Sequence, residues 1–376
     1  MGEVGAQLLS ADFPDDEVDR AEGVRHLAQQ VVCWLGWSVG HSDPTAPAFQ
    51  RQNDLVTKWG GPNADNVYRH ARIDVAHTYK ITGRMGACDD FIIAMRAGFM
   101  HMEKWGTRRE VSAADLGIGP GDEFEITLSA DPARGDGRRV IIIDPDVVVI
   151  SIREYYWEWN DGEPATFSIE CLDAGRPTPQ RERASPVAEL HDAATAVERS
   201  VRYWNDYLGR HRADLTDNVL GPPFKNTGGL DAATYGFGFY DLGPGEALLI
   251  ESDVPDARYW SFQLASLAWF ESLDFGARTS SLNHRQITIS RDGRMRLVIA
   301  HRDPGVPNWL DTEGRRAGLV TYRWFWSSDA PHPTSHVVAL DQLLNIMPPD
   351  TLRVSGPDRA RQLQARMAHV ARRFRV

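Results

Sequence analysis

The sequence is poor in cysteine, in long apolar runs and in positive charge. Its three cysteines, Cys33, Cys88 and Cys171, are far apart and odd in number, which indicates reduced thiols rather than a disulfide framework. No apolar run approaches the roughly 18 residues that a membrane helix needs. The acidic first twenty residues lack the basic start and apolar core of a secretory signal. We therefore expect a cytoplasmic protein without a membrane partner.

The charge balance narrows the class of ligand. Asp and Glu number 52 against 41 Lys and Arg, which gives a net charge of −11 at pH 7. A chain of this sign repels phosphate backbones, so nucleic acid is not an expected partner. The glycine-rich segment 229–255 lacks the order of strand, glycine-rich loop and helix, so no nucleotide cofactor is expected. A small-molecule ligand remains, and the sequence leaves open whether the chain forms a homo-oligomer.

Two stretches of the chain follow the same order of elements. Residues 124–159 and 285–326 each contain a strand-like run, an Asp-Gly turn, a second run, an Asp-Pro step and a last run that ends in arginine and aromatics. This shared order predicts an internal duplication. The matched pairs are Thr127 with Thr288, Asp144 with Asp303, Arg153 with Arg323 and, upstream, Tyr79 with Tyr259.

Helical segments flank the two predicted halves. Apolar residues at i, i+3, i+4 spacing predict helices over residues 21–41 and 187–208, one before each half. A third helix is predicted over residues 357–376, where apolar residues and arginines occupy opposite faces. The Pro- and Arg-rich stretch 173–186 reads as a linker between the halves.

The remaining segments predict the fold class. Most alternate with period two and end in turn residues, which favours antiparallel sheets packed face to face. The chain has 376 residues, of which 42% are hydrophobic, enough for two ordinary domains. We therefore expect an α+β fold, mostly antiparallel β, with two tandem jelly-roll-like or sandwich halves at 1–183 and 184–376 and flanking helices.

Several long motifs point to a family. YWSFQL, SLNHRQ, HRDPGVPNWLDT and RWFW lie in the second half, and KWGGPNADNVY, YKITG and REYYWEWNDGEPA lie in the first. With these motifs the chain resembles actinobacterial members of a bacterial family catalogued as domain of unknown function 1214. The resemblance covers nearly the whole chain and implies a β-rich, jelly-roll-like fold. It implies no reaction.

One predicted hairpin brings candidate catalytic residues together. Asp292-Gly293 between two strand-like runs is typical of a two-residue type I′ turn. Such a turn pairs His284 with His301 on one face, with Cβ atoms about 5 Å apart, and Asp303 points the same way. The three could hold one divalent metal, form a metal-free acid-base unit, or pack as a structural group. The catalytic prediction is His284, His301 and Asp303, with no firm metal site.

Polar and aromatic residues near strand ends predict a ligand pocket. Asn308 and Trp309 follow two prolines that stiffen their loop, which suits stacking and hydrogen bonding. Arg153 and Arg323 each end a strand-like run beside aromatics, where a guanidinium could bind a carboxylate, sulfate or phosphate. Core packing of Trp309 and structural pairing of the arginines are the alternatives, and recurrence in both halves favours structural arginines. The predicted ligand-binding residues are Asn283, Asn308, Trp309, Arg323, Trp324, Arg153 and Tyr156.

These residues favour two functions. The first is a cytoplasmic hydrolase or lyase that acts on a small, partly apolar organic or sugar-like metabolite, through His284, His301 and Asp303. The second is a non-catalytic protein that binds a small molecule or carbohydrate, with Trp309 and Trp324 as stacking faces. Fold alone does not decide between them.

Overall fold

The computed structural model describes residues 16–134, 139–173 and 185–376, together with Gly2, Gly5 and Ala6. Most of the predicted linker, residues 174–184, lies outside the described residues. The Asp-Gly turn predicted for the first half, at residues 136–137, lies outside them as well.

The described part of the first half contains eight strands in two four-stranded sheets. The strands are β1 (Asn66–Arg72), β2 (Tyr79–Arg84), β3 (Asp90–Arg96), β4 (Thr107–Ser112), β5 (Glu123–Ser129), β6 (Val140–Ile142), β7 (Val149–Tyr155) and β8 (Thr166–Cys171). One sheet has the order β1-β7-β3-β4 and the other β6-β5-β2-β8. Neighbouring strands are antiparallel, except β5 and β6, which are parallel.

The second half repeats this topology strand by strand. Its strands are β9 (Ala233–Asp241), β10 (Glu246–Asp253), β11 (Ala257–Ala265), β12 (Ser281–Asn283), β13 (Arg294–Ala300), β14 (Trp309–Asp311), β15 (Ala317–Ser327) and β16 (Thr334–Ala339). The sheet orders are β9-β15-β11-β12 and β14-β13-β10-β16, with a parallel β13–β14 pair. Adding eight to each strand number of the first half gives both orders. The predicted fold class of two tandem, mostly antiparallel sandwich halves is confirmed.

The residue matching drawn from the sequence is shifted by one strand in places. Tyr79 lies in β2, whose counterpart is β10, whereas Tyr259 lies in β11. Asp303 follows β13, and the first-half residue that follows the equivalent strand is Asp131, not Asp144. These matches are wrong because Asp-Pro steps recur at several strand ends, so a short motif does not identify its strand.

One match with Thr127 also fails, and one match places both of its residues on equivalent strands. Thr127 lies in β5, whereas Thr288 precedes β13. Arg153 and Arg323 lie in β7 and β15. The cross-strand neighbour of each arginine on the first strand of its half is a tyrosine, Tyr68 for Arg153 and Tyr235 for Arg323.

Alternation along β3 assigns the two faces of its sheet. Phe91, Ile93 and Met95 point into the core between the two sheets of the first half, whereas Ile92 and Ala94 face the second half. Every residue of β3 is therefore buried. A strand buried on both faces reads as a continuous apolar run, which is what this segment shows.

The two halves meet through one sheet each, which we call the inner sheets: β1-β7-β3-β4 and β9-β15-β11-β12. Tyr155 lies between them, with its ring centroid 5.4 Å from that of Tyr259 and 5.5 Å from that of Phe325. The other two sheets pack on the far sides of the inner sheets, each with its own apolar core. The molecule is thus four sheets deep.

Helices cover the flanks. Described helices are α1 (Glu17–Leu35), followed by a π-helical turn (Gly36–Gly40), α2 (Pro186–Asp214), α3 (Leu343–Ile346) and α4 (Gly356–Phe374). Asp16 caps α1 by accepting from the Val18 and Asp19 amides. Buried Trp34 of α1 and Trp204 of α2 belong to one apolar cluster, so these two helices pack together. The three predicted helices are present within a few residues of their expected bounds.

The C-terminal helix α4 connects the halves. Its first turn pairs Arg359 with Asp303 of the second half, with Nε to Oδ2 at 2.9 Å. Its last turns place Val370 and Phe374 in the core of the first half, together with Phe275. Helix α4 therefore belongs by contact to both halves.

The three cysteines and the helices bear on the composition arguments. Cys33, Cys88 and Cys171 are free and buried. Burial raises the pKa of the Cys33 thiol to about 12, so it stays protonated and unreactive at neutral pH. None of the helices in the described part of the chain is long and apolar enough to span a bilayer.

Candidate functional site

The hairpin that was to align the two histidines has a different turn. The Ser290 amide bonds the Arg294 carbonyl at 2.9 Å, which leaves three residues in the loop rather than two. Gly293, the last of them, has φ +82°, as three-residue hairpins require. The pairing is Ile289 with Met295, so the predicted register is wrong by one residue. A shift of one residue turns a side chain to the opposite face.

The segment that carries His284 also leaves the strand early. The Gln286 and Ile287 amides both bond the Asn283 carbonyl at 2.9 Å, so the chain turns directly after β12. The His284 ring instead packs against Trp157, at 5.7 Å between centroids. Burial and the nearby charge of Arg285 lower the pKa of His284 to about 4.

His301 and Asp303 are held by partners of their own. His301 bonds Thr312 Oγ1 through Nδ1 at 2.7 Å and the Leu242 carbonyl through Nε2 at 3.0 Å. Asp303 pairs with Arg359. The predicted catalytic group of His284, His301 and Asp303 is therefore not assembled. Within the described ranges, no group of three or more His, Cys, Asp or Glu side chains could hold a metal ion.

Asn308 and Trp309 are structural residues of the second half. The Asn308 side chain donates to the Thr288 and Arg296 carbonyls at 2.7 and 2.8 Å and accepts from the Thr288 amide. Trp309 is 7% exposed, and its indole donates to the Ala300 carbonyl at 3.0 Å. The prediction that they present a ligand-binding face is wrong, because the internal bonds use the amide and the core covers the ring.

Trp324, Tyr156 and Asn283 are likewise internal. Trp324 is fully buried in the core of the second half. The Tyr156 hydroxyl donates to Glu154 at 2.6 Å within the core of the first half. The Asn283 side chain donates to Asp65 at 2.8 Å, which ties the second half to the first. These three predicted ligand-binding residues lie away from any cavity wall, and their role is packing.

Arg153 and Arg323 do reach a cavity, which lies between the inner sheets. Its volume is about 130 Å³, and both halves line it. Alternation explains which side chains face it: Ile152 of β7 and Trp324 of β15 point into the separate cores, so Arg153 and Arg323 point to the shared face. Other residues of the wall are His70, Arg96, Trp204, Tyr207, Leu230, Phe237 and Phe270.

The first half supplies two cations to the cavity. Arg96 ends β3 on the side that faces the second half, and it is 8% exposed. Burial, followed by the charge of Arg153, lowers the pKa of Arg96 to about 10, so the guanidinium stays charged at neutral pH. Its Nε has no hydrogen-bond partner in the described part of the chain. Arg153 is half-buried, with its guanidinium 5.6 Å from the Tyr68 ring centroid.

No carboxylate among the described residues lines the cavity. Glu110 acts on Arg96 from outside the wall, where its charge raises the pKa of the guanidinium against the effect of burial. Its two carboxylate oxygens already accept from the Asp231 and Ala232 amides, at 3.0 and 2.8 Å. The positive charge at this end is therefore only partly offset.

His70 stands beside the two arginines. It lies in β1, is almost fully buried, and its Nδ1 lacks a hydrogen-bond partner within the described ranges. Burial, together with the charges of Arg96 and Arg153, holds the pKa of His70 well below its usual range. The imidazole is therefore neutral at pH 7 and can offer a hydrogen bond without adding charge.

Arg323 differs from Arg153 in having internal partners. It donates to the Gly61 carbonyl at 2.6 Å and to the Gln263 side chain at 3.3 Å. Gly61 has φ +64°, and a Cβ there would lie 2.4 Å from the Phe270 ring, so only glycine brings this carbonyl to the arginine. Arg323 is thus built into the wall.

Aromatic rings form the rest of the wall. The Phe270 ring centroid lies 5.7 Å from that of Trp204 and 6.2 Å from that of Tyr207, with the latter pair stacked. The Trp204 indole N–H is buried and has no acceptor among the described residues. The cavity therefore combines an apolar side with a cationic, donor-rich end.

Sequence reasoning missed His70, Arg96, Trp204 and Phe270. For Arg96 a signal existed, since an arginine at the end of the apolar run DFIIAMR is out of place in a buried strand. For the others the sequence offers none, because their neighbours come from distant segments.

Comparison with known proteins gives one informative match. The crystal structure of an uncharacterized protein from Burkholderia cenocepacia aligns over 91% of this chain and 95% of its own, with 31% identity and a TM-score of 0.82. The VPA0106 protein from Vibrio parahaemolyticus aligns over 84% of this chain and 98% of its own, with 12% identity and a TM-score of 0.49. No family model and no curated protein matches the chain. The chain belongs to the same protein family as the Burkholderia cenocepacia protein.

Proposed function

We propose that this protein binds a small, partly apolar organic molecule in the cavity between its halves. The observation that carries the proposal is the wall itself, which joins stacked rings to buried donors that no protein acceptor satisfies. Concave sites of this composition, set between structural units, are the usual places for small ligands. A cavity of about 150 Å³ is large enough to hold benzene, and this one has a volume of about 130 Å³.

Binding of small aromatic probes tests this proposal. Thermal shift and non-denaturing mass spectrometry with phenol, benzamide and benzoate should show binding to the wild type. Met100, half-buried in the cavity wall, offers a way to fill the space. We expect Met100→Trp to lose all probes and Val337→Trp, on exposed β16, to keep them. Equal binding by both variants would place the ligand elsewhere and refute the proposal.

A hydrolase or lyase that works in the same cavity is the second candidate. His70 favours it, because this imidazole lines the cavity and has a nitrogen without a partner in the described part of the chain. With its pKa held low, His70 would be a weak base and a poor proton donor at pH 7. Turnover of a bound ester or hydroxy acid that disappears in His70→Gln, with binding kept, would establish this function over binding alone.

A further inference from the structure

We infer that the ligand is a small aromatic acid whose anionic group lies between the guanidiniums of Arg96 and Arg153. This inference rests on the proposed binding function and specifies the class of ligand. It concerns the first-half end of the cavity, where the charges are concentrated.

The first step in the argument is electrostatic. Two guanidiniums that repel each other share one end of a buried cavity, and no Asp or Glu among the described residues lines it. Burying like charges is costly unless an opposite charge comes between them. Glu110 offsets part of the cost from behind, but backbone amides occupy both of its oxygens. A ligand anion would supply the missing partner.

The second step concerns hydrogen bonds. Arg96 Nε and Trp204 Nε1 can only donate, and His70 Nδ1 donates in one tautomer. All three atoms are buried, line the cavity and have no protein acceptor within the described ranges. A ligand that matches them must be rich in acceptors. A carboxylate has about four acceptor sites and no donor, and guanidinium binds it in a fork geometry.

The third step excludes other ligand classes. A neutral sugar brings many hydroxyl donors, yet no carboxylate in the described wall is available to accept them. A free inorganic ion would leave the stacked Trp204, Tyr207 and Phe270 rings without a function. The rings fit a flat apolar body, which can stack offset or edge-on against them. Together these features favour one aromatic ring with one acidic group.

Matched acids and amides test the inference. Benzoate and phenylacetate, each with its neutral amide, should be titrated by calorimetry into the wild type, Arg96→Gln and Arg153→Gln. We expect the acids to bind the wild type at least tenfold more tightly than the amides. Each variant should lose that preference and leave amide binding within about threefold. Arg316→Gln, an exposed arginine paired with Asp241, should behave as the wild type.

The outcomes separate this inference from the proposed function. If acids and amides bind equally, and Met100→Trp abolishes both, the cavity binds ligands but the anionic preference is refuted. If no acid of the series binds the wild type, the inference is refuted whatever the neutral probes do. Arg153 is half-buried, so its variant should fold even if Arg96→Gln does not. Retained acid preference in a folded Arg153→Gln would also overturn the inference.

Discussion

The two halves share a topology but contribute differently to the cavity between them. Each places an arginine at an equivalent strand with a tyrosine as its cross-strand neighbour. In the second half, Arg323 is satisfied by a carbonyl and an amide. In the first half, Arg153 sits beside a second guanidinium, Arg96, and a neutral histidine, His70. The same framework position is thus structural in one copy and free to engage a ligand in the other.

The largest expected effect separates Trp324 from its neighbour Arg323. Trp324 is fully buried on the core side of β15. Trp324→Ala should lower the free energy of unfolding by about 3–5 kcal/mol, the usual cost of removing a large buried side chain. Urea denaturation measures this. A small loss of stability with a large loss of probe binding would instead return Trp324 to the ligand site.

Next comes Arg323, which should act as a structural residue. Arg323→Met leaves the buried Gly61 carbonyl and the Gln263 amide oxygen without this donor, and we expect a loss of about 1–3 kcal/mol in unfolding free energy. Chemical denaturation checks the prediction. Unchanged stability would mean that both arginines are equally free, and the contrast between the halves would disappear.

Acid sensitivity should come from the first half. His101 stacks on Phe99, and burial, with a smaller effect of Arg199, lowers its pKa to about 3. Below its ordinary pKa of about 6.5 the unfolded chain takes up a proton that the folded chain refuses, so stability falls as the pH drops from about 6.5 toward 3. His101→Phe should reduce that slope by about 1.4 kcal/mol per pH unit near pH 5.

The control for this effect is Phe99→Leu, which alters the same cluster but removes no titrating group. It should lower stability by similar amounts at pH 7 and pH 5. Unfolding by urea at both values compares the two variants. An unchanged slope in His101→Phe would show that other histidines account for the acid response.

The smallest effect on stability is expected at Arg96. Arg96→Met replaces a buried cation with no carboxylate in contact by an apolar chain of similar length. Such replacements are often neutral or stabilising, so we expect a change within about 1 kcal/mol. Thermal denaturation without ligand measures it. A loss as large as that of Arg323→Met would show that Arg96 is also structural.

Alternation and turn length explain what the sequence could and could not predict. The sandwich halves followed from period-two runs, because that pattern depends only on local chain geometry. Treating Arg323 and Trp324 as neighbours in one pocket ignored the same rule, which sends consecutive side chains to opposite faces. His284 and His301 were misplaced because one extra loop residue reverses a face, and Asp-Gly alone does not fix the loop length.

The cavity as a whole was beyond sequence reasoning. His70, Arg96 and Trp204 come from β1, β3 and α2, and nothing in the local pattern says that these elements converge. Their convergence follows from how two inner sheets pack, which depends on side chains spread over the entire chain. Arg153 and Arg323 were identified because the repeat itself marked them.

The path of helix α4 has a consequence for synthesis. Domains usually fold in order as the chain leaves the ribosome, the N-terminal one first. Here Val370 and Phe374 complete the core of the first half, although they are among the last residues to be made. The first half must therefore wait, with part of its interior uncovered, until translation has ended. A nascent chain that still lacks α4 is the form in which this protein would most need a chaperone.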